Sequence, residues 1–351
     1  MFESYHPLIF SAILVTALLV SAGLTGILRK IGIHYQIMDV PTSRSSHERP
    51  TPRGGGMAVA VTYFLFTGAF LAGGLLPPDK VGGLLITGCA ITLLGFIDDL
   101  ITLPRNPRVI VWLVITGLAV LLGISLEAIE LPVLGTVQFG IFSPLVTFLW
   151  LIGVTNFYNF MDGIDGLAAS ETILTAGFLL FFSFRAGNDV IAFSSLVLLG
   201  AAGGFLIYNF PPAKIFMGDG GSNFLGFMFA ALAVLGGKAE TGQIPFVVPV
   251  ILLNMFLLDG SVTLIKRLPK GKNWLEPHRD HYYQRLIKSG LSHLQVTLLY
   301  SSMNIILGGV AYVYLVAAND LLRAGLLVLS AVPFLFVVII THRREQRVSI
   351  S

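Results

Sequence analysis

Apolar residues run along this chain in blocks far longer than a soluble protein carries, and the polar residues collect in the gaps between them. A helix that crosses a bilayer needs about 20 mostly apolar residues, and eleven blocks approach that length. They fall near residues 8 to 28, 56 to 76, 81 to 97, 108 to 125, 141 to 158, 167 to 184, 190 to 208, 222 to 237, 244 to 265, 294 to 316 and 321 to 340. The eighth is short and rich in glycine. Between the fourth and fifth, "LEAIELPVLGTVQFG" alternates apolar and other residues around Leu134-Gly135. That period predicts a short hairpin lying on the membrane surface.

Composition turns the blocks into a fold class. Of 351 residues, 55% are hydrophobic and 12% charged, and the mean hydropathy is +0.82; soluble domains carry roughly 25% charged residues. We expect one all-α, polytopic membrane domain over residues 1–351, a bundle of ten to eleven helices with every backbone group satisfied inside its own span. Glu3 stands where a cleaved leader would be basic, and Arg29-Lys30 follow the first apolar block, so the first helix is expected to stay. The lone Cys89 sits in an apolar block, where a core role is expected and no disulfide within the chain can form.

Alternating the blocks sorts the loops into two sets. Lys80, Arg185, Lys238 and Arg323 fall in one set, and the other 18 of the 22 Lys and Arg fall in the second. Such a bias marks the second set as cytoplasmic, with the N-terminus outside and the C-terminus inside. A net charge of +3 offers nothing for nucleic acid.

The same alternation brings five polar stretches to the cytoplasmic face: residues 39 to 56, 95 to 108, 155 to 171, 208 to 223 and 276 to 286. Asp98 and Asp99 end an apolar block, and each charge at membrane depth costs at least about 2.5 to 3.5 kcal/mol. In "TNFYNFMDGIDGLAASE", Asn156, Asn159, Asp162 and Asp165 recur every third residue. If the fifth helix continues, steps of three turn about 300°, so Asn156, Asn159 and Asp162 share a drifting stripe. Gly163 and Gly166 loosen the backbone so that Asp165 folds back toward the same cavity. Oxygens gathered this way suit Mg²⁺.

In "FPPAKIFMGDGGSN", two prolines end the seventh block, and Gly218, Gly220 and Gly221 flank Asp219. Small residues and free amides at a helix start admit phosphate or metal. In "PHRDHYYQRL", His278 and His281 bracket Arg279 and Asp280. A His-x-x-His pair is one form of zinc site, but no cysteine joins it, and phosphate binding is the favoured use.

The ordered set Asp98-Asp99, "NFMDGIDG", "KIFMGDGGS" and a histidine-bearing loop resembles the polyprenyl-phosphate N-acetylhexosamine-1-phosphate transferases, glycosyltransferase family 4, from about residue 39 to 290. The resemblance implies a bacterial cytoplasmic-membrane enzyme with its active site facing the cytoplasm. It implies transfer of a sugar 1-phosphate from a UDP-N-acetylhexosamine to undecaprenyl phosphate, with release of UMP and a need for Mg²⁺ or Mn²⁺. Asp98 and Asp99 match the family's paired acids, and Asn159, Asp162 and Asp165 match the next motif. Asp219 matches the metal-binding aspartate, while Asn209 and Phe216 fall where relatives contact and stack on uracil. The family often forms homodimers. "HRDH" and "RSSHERPTPRGGG" depart from the peptidoglycan translocases and point to the group that starts O-antigen synthesis, with a modified or 6-deoxy sugar as one substrate class.

On this reading Asp219, with Asn159, holds the metal, and Asp98 keeps the lipid phosphate deprotonated or in line. Asp99, Asp162 and Asp165 complete the catalytic carboxylates. Lys214, Arg279, His278 and His281 neutralise phosphate oxygens, and Arg44, Arg49 and Arg53 guide the lipid phosphate or close over the nucleotide. The alternative is a transporter with a cytoplasm-facing polar cavity, although transporters keep such charges near the midplane.

Overall fold

The computed structural model describes residues 7–41, 49–101, 103–238, 242–267 and 280–350. Each apolar block is helical. The first eight form α1 (Pro7–His34), α2 (Met57–Ala72), α3 (Pro78–Ile101), α4 (Arg105–Leu121), α5 (Ser143–Met161), α6 (Leu167–Ala186), α7 (Asp189–Asn209) and α8 (Asp219–Lys238). The rest are α9 (Val247–Leu252), α10 (Asn254–Arg267), a short α11 (Tyr282–Lys288), α12 (His293–Val316), α13 (Asp320–Leu329) and α14 (Val332–Ile350). Among the described residues, eight helical segments are long and apolar enough to cross a membrane, and α2 and most of α4 are shorter apolar helices. The chain is a polytopic all-α membrane protein.

Strands are confined to two small antiparallel pairs among the described residues. β1 (Met38–Asp39) pairs with β2 (Thr51–Pro52), which anchors the start of α2. The hairpin expected from the alternating pattern is present: β3 (Ala128–Leu131) pairs with β4 (Gly135–Gln138), Ala128 opposite Gln138.

The glycine-rich eighth block lies at the centre. α8 is buried along nearly its whole length and packs between α3 and α5. Its glycines make that possible, because without side chains the backbones can approach closely. A Cβ at Gly95 of α3 would stand 2.5 Å from the Asp219 carbonyl oxygen, and one at Gly226 would stand 2.8 Å from the Thr155 backbone of α5.

Two blocks read as continuous are each divided in two. The ninth turns at Leu253, between α9 and α10, and the eleventh at Ser330-Ala331, between α13 and α14. The breaks meet: Asn254 Nδ2 donates to the Ser330 carbonyl at 2.7 Å and to Ser330 Oγ at 3.0 Å. Non-helical backbone inside an apolar bundle persists only where protein supplies the lost hydrogen bonds, and here the side chain of Asn254, at the first break, supplies the Ser330 carbonyl at the second.

Candidate active site

Helix ends from distant parts of the chain converge on one polar cavity of about 280 Å³. Asp99 comes from the last turn of α3, Asp162 directly follows α5, Asp165 lies before α6, and Asp219 opens α8. All four carboxylates line the cavity, together with Arg53, Phe216 and Asn209.

Asp219 is held at both ends of its backbone-to-carboxylate reach. Its amide donates to Asp99 Oδ1 at 3.0 Å, and its Oδ1 accepts from Asn159 Nδ2 at 2.9 Å. Asn159 also donates to Ser222 Oγ at 2.8 Å, one turn farther along α8. Asp99 Oδ2 accepts the Gly220 amide at 3.1 Å, so Asp99 caps α8. This corrects one expectation: the first two amides of α8 are occupied by a carboxylate and are not open to phosphate. Gly218 is required beside them, because its φ is +78° and a Cβ there would lie 2.7 Å from Asp99 Oδ2. Arg53 closes the same corner by donating from Nη2 to the Asp99 carbonyl.

Asp162 keeps some surface in the cavity. Withdrawal from water, followed by the nearby Asp219, Asp99 and Asp165, pushes its carboxyl well above the ordinary range. Anions crowded this closely favour a cation among them. Asp165 is fixed separately: Oδ2 accepts the Ala213 amide at 3.0 Å, and its carbonyl accepts from Thr297 Oγ1 at 2.9 Å.

The remaining expected residues divide. Asp98 is buried behind the cavity, with Oδ1 accepting the Leu103 amide at 2.6 Å and Oδ2 paired with Arg108 Nη1 at 2.8 Å. Asn209 lines the cavity, but its amide is engaged with protein at both ends: Oδ1 accepts from Gly166 N, and Nδ2 donates to the Ile215 carbonyl, each at 3.0 Å. It pins the two loops that carry Asp165 and Phe216. Lys214 and Arg49 are exposed and stand outside the cavity walls. Arg44, His278 and Arg279 lie outside the described residues.

His281 is not in the cavity wall. It is 3% exposed, and its Nδ1 lies 3.2 Å from Asp259 Oδ1. Asp259 is fully buried and also accepts from Tyr282 N at 2.9 Å, Tyr283 N at 3.2 Å and Tyr300 Oη at 2.7 Å. This hub positions α11 against α10 and α12, and Tyr283 Oη reaches on to the Phe160 carbonyl beside the site. The expected phosphate-binding histidine is therefore part of the wall's support.

Three polar lining residues had no assigned role in the sequence: Asp39, Gln284 and His293. His293 begins α12 and sets Nδ1 3.1 Å from Asp165 Oδ1 and 3.4 Å from the Asp165 amide. These contacts require opposite tautomers, since a protonated Nδ1 donates to the carboxylate and a bare one accepts from the amide. A lone histidine after "GLS" carried no spacing signal.

Among the described residues, no three His, Cys, Asp or Glu side chains form a ready metal cage. The donors still fit Mg²⁺, which takes hard oxygens and commonly shares one or two carboxylates with substrate phosphates. Four carboxylates around one cavity, with the carboxyl of Asp162 crowded by the others, are such a set.

The family model for glycosyl transferase family 4 matches residues 81–237. A probable undecaprenyl-phosphate N-acetylglucosaminyl 1-phosphate transferase of Bacillus subtilis is 31% identical over 82% of this chain and 80% of its own length. A decaprenyl-phosphate N-acetylglucosaminephosphotransferase of Mycolicibacterium smegmatis is 31% identical over 84% of this chain and 80% of its own. A phospho-N-acetylmuramoyl-pentapeptide-transferase of Latilactobacillus sakei is 36% identical, but over only 41% of this chain and 48% of its own.

Proposed function

The chain belongs to glycosyl transferase family 4, in the polyprenyl-phosphate hexosamine-1-phosphate transferase superfamily, and from that premise we propose that it transfers the sugar 1-phosphate of a UDP-N-acetylhexosamine to undecaprenyl phosphate and releases UMP. The observation that carries this reading is the cavity itself, where four carboxylates, the Arg53 guanidinium and the Phe216 ring face one space. N-acetylglucosamine is the first sugar to test, because the two long-matching relatives are named for it. The modified and 6-deoxy sugars expected of an O-antigen-initiating enzyme come next. The bias of Lys and Arg supports a cavity that faces the cytoplasm.

In the proposed reaction a lipid phosphate oxygen attacks the sugar-bearing phosphorus of the donor. The bond from that phosphorus to the UMP oxygen breaks, and UMP leaves with the electron pair. Asp219 would hold Mg²⁺, which would supply positive charge to the phosphate oxygens of the donor and of the departing UMP. Asn159 aims the Asp219 carboxylate, while Asp99 fixes the amides that start its helix. Arg53 offers a cation to phosphate oxygens, and Phe216 offers a face for the base. Direct attack is favoured because the lipid phosphate is already anionic near neutral pH. A phosphorylated protein trapped after exposure to UDP-sugar alone would overturn that step.

The carboxylates sit at the ends of their helices, which argues against the midplane site of a transporter. Purified protein with undecaprenyl phosphate, Mg²⁺ and a panel of UDP-N-acetylhexosamines is expected to yield UMP and one lipid-linked sugar, read by mass spectrometry. Folded protein that makes no product from any sugar refutes the reading.

His293 provides a finer test. His293→Ala leaves Asp165 without its imidazole neighbour, and loss of alignment at this scale lowers kcat by roughly 10- to 100-fold. His293→Asn places an amide nitrogen near the position of Nδ1 and is expected to recover most of the rate at unchanged KM. Equal kcat in wild type and His293→Ala would show that His293 does not position Asp165.

A further inference from the structure

A second cavity, of about 410 Å³, opens at the same end of the bundle between the last turn of α10, α11 and α14. Its described walls include Lys266, Arg267, Asp280, Tyr282, Arg285 and His342, and it shares no described residue with the carboxylate cavity.

Among the described residues, the charges of the second cavity do not cancel. Asp280 pairs with Arg267 at 2.5 Å, and Glu345 takes Arg285 through two hydrogen bonds of 2.8 and 2.6 Å. No carboxylate among the described residues pairs with Lys266. Its ammonium instead bonds the Tyr282 hydroxyl and stands 5.0 Å from the centroid of that ring, where the Arg285 guanidinium also stacks at 4.5 Å. The arrangement holds a positive charge beside a cavity and leaves it without a counter-ion among the described residues.

An apolar stripe leads to that charge along α14. Leu335 and Ile339 lie on the His342 face, two turns and one turn before it. They are 55% and 43% exposed, as lipid-facing residues are. A cationic cavity at the end of a membrane-spanning helix, continuous with exposed apolar surface, is the form of an anionic-lipid headgroup site.

We propose that this cavity binds the phosphate of an anionic phospholipid, with Lys266 as its principal counter-ion and the acyl chains along Leu335 and Ile339. The occupant is a bulk phospholipid rather than the polyprenyl phosphate of the reaction, because a reacting phosphate must reach Asp219 in the other cavity. The inference does not depend on which sugar is transferred.

The test is native mass spectrometry of the full chain in mixed micelles containing phosphatidylglycerol or phosphatidylcholine. Wild type is expected to retain one phosphatidylglycerol under conditions that strip phosphatidylcholine. Lys266→Gln, a change at an exposed side chain, is expected to weaken retention about fivefold, as for the loss of one interfacial cation. Lys266→Arg keeps it. Equal retention of the two lipids by wild type, or equal retention of phosphatidylglycerol by wild type and Lys266→Gln, overturns the proposal. Displacement by undecaprenyl phosphate would assign the cavity to the acceptor, and displacement by millimolar inorganic phosphate would assign it to a free anion; either result also overturns it.

Discussion

Asp219→Asn is expected to abolish most turnover while leaving the protein folded and at least as stable as wild type. The substitution preserves the size of the side chain, its place at the start of α8 and an oxygen able to accept from Asn159 Nδ2. The backbone amide that Asp99 caps is untouched. What disappears is one negative charge from a cavity that already holds Asp99, Asp162 and Asp165. Losing a preorganised electrostatic group of this kind lowers kcat on the order of a hundredfold to a thousandfold, and the Mg²⁺ concentration needed for half-maximal UMP release rises with it. Stability moves the other way, because the like charges that crowd Asp162 are reduced by one. Rate against Mg²⁺ and thermal unfolding in detergent together test the assignment. Unchanged turnover and an unchanged Mg²⁺ requirement would exclude Asp219 as the residue that holds the metal.

Asp259→Ala has the opposite signature, a loss of structure before chemistry. The Asp259 carboxylate is fully buried and accepts from two backbone amides and the Tyr300 hydroxyl, with His281 against it. Alanine leaves those donors buried without an acceptor, at about 1–3 kcal/mol for each. A total above about 3 kcal/mol is large beside the usual 5–15 kcal/mol of net stability. The unfolding midpoint in detergent is expected to drop by roughly 5 °C or more, with α11 detaching from α10 and α12. Asp259→Asn keeps acceptor oxygens and is expected to lose less. An alanine variant as stable as wild type would remove Asp259 from its place as the hub of this region.

The two residues also mark how far the sequence could be read. Asp219 was legible because a carboxylate among glycines, at the end of an apolar block, has an evident cost and so invites a reason. The same logic found Asp99, Asp162 and Asp165, and the structure brings them to one cavity. Asp259 was hidden inside a block that reads as a span, and apart from Thr263 one turn on, its partners lie 22 to 41 residues later. His293 was hidden for a similar reason, since its partner Asp165 is 128 positions earlier. His281 was visible, but spacing cannot tell a ring that faces a cavity from one that turns inward to a buried carboxylate.

The sequence by itself determined that this is a helical membrane protein, where its apolar blocks lie, that residues 128–138 turn back as a hairpin, and which acids stand at helix ends. These follow from local energetics, because lipid demands apolar length and penalises every charge it surrounds. Only the tertiary structure decided that short, glycine-rich α8 is the centre of the bundle, that Asp99 caps it, and that Asn254 beside one break bonds Ser330 at the other. Each depends on which backbone meets which across long stretches of chain. A close approach or a satisfied amide belongs to two segments at once, so neither segment's composition records it.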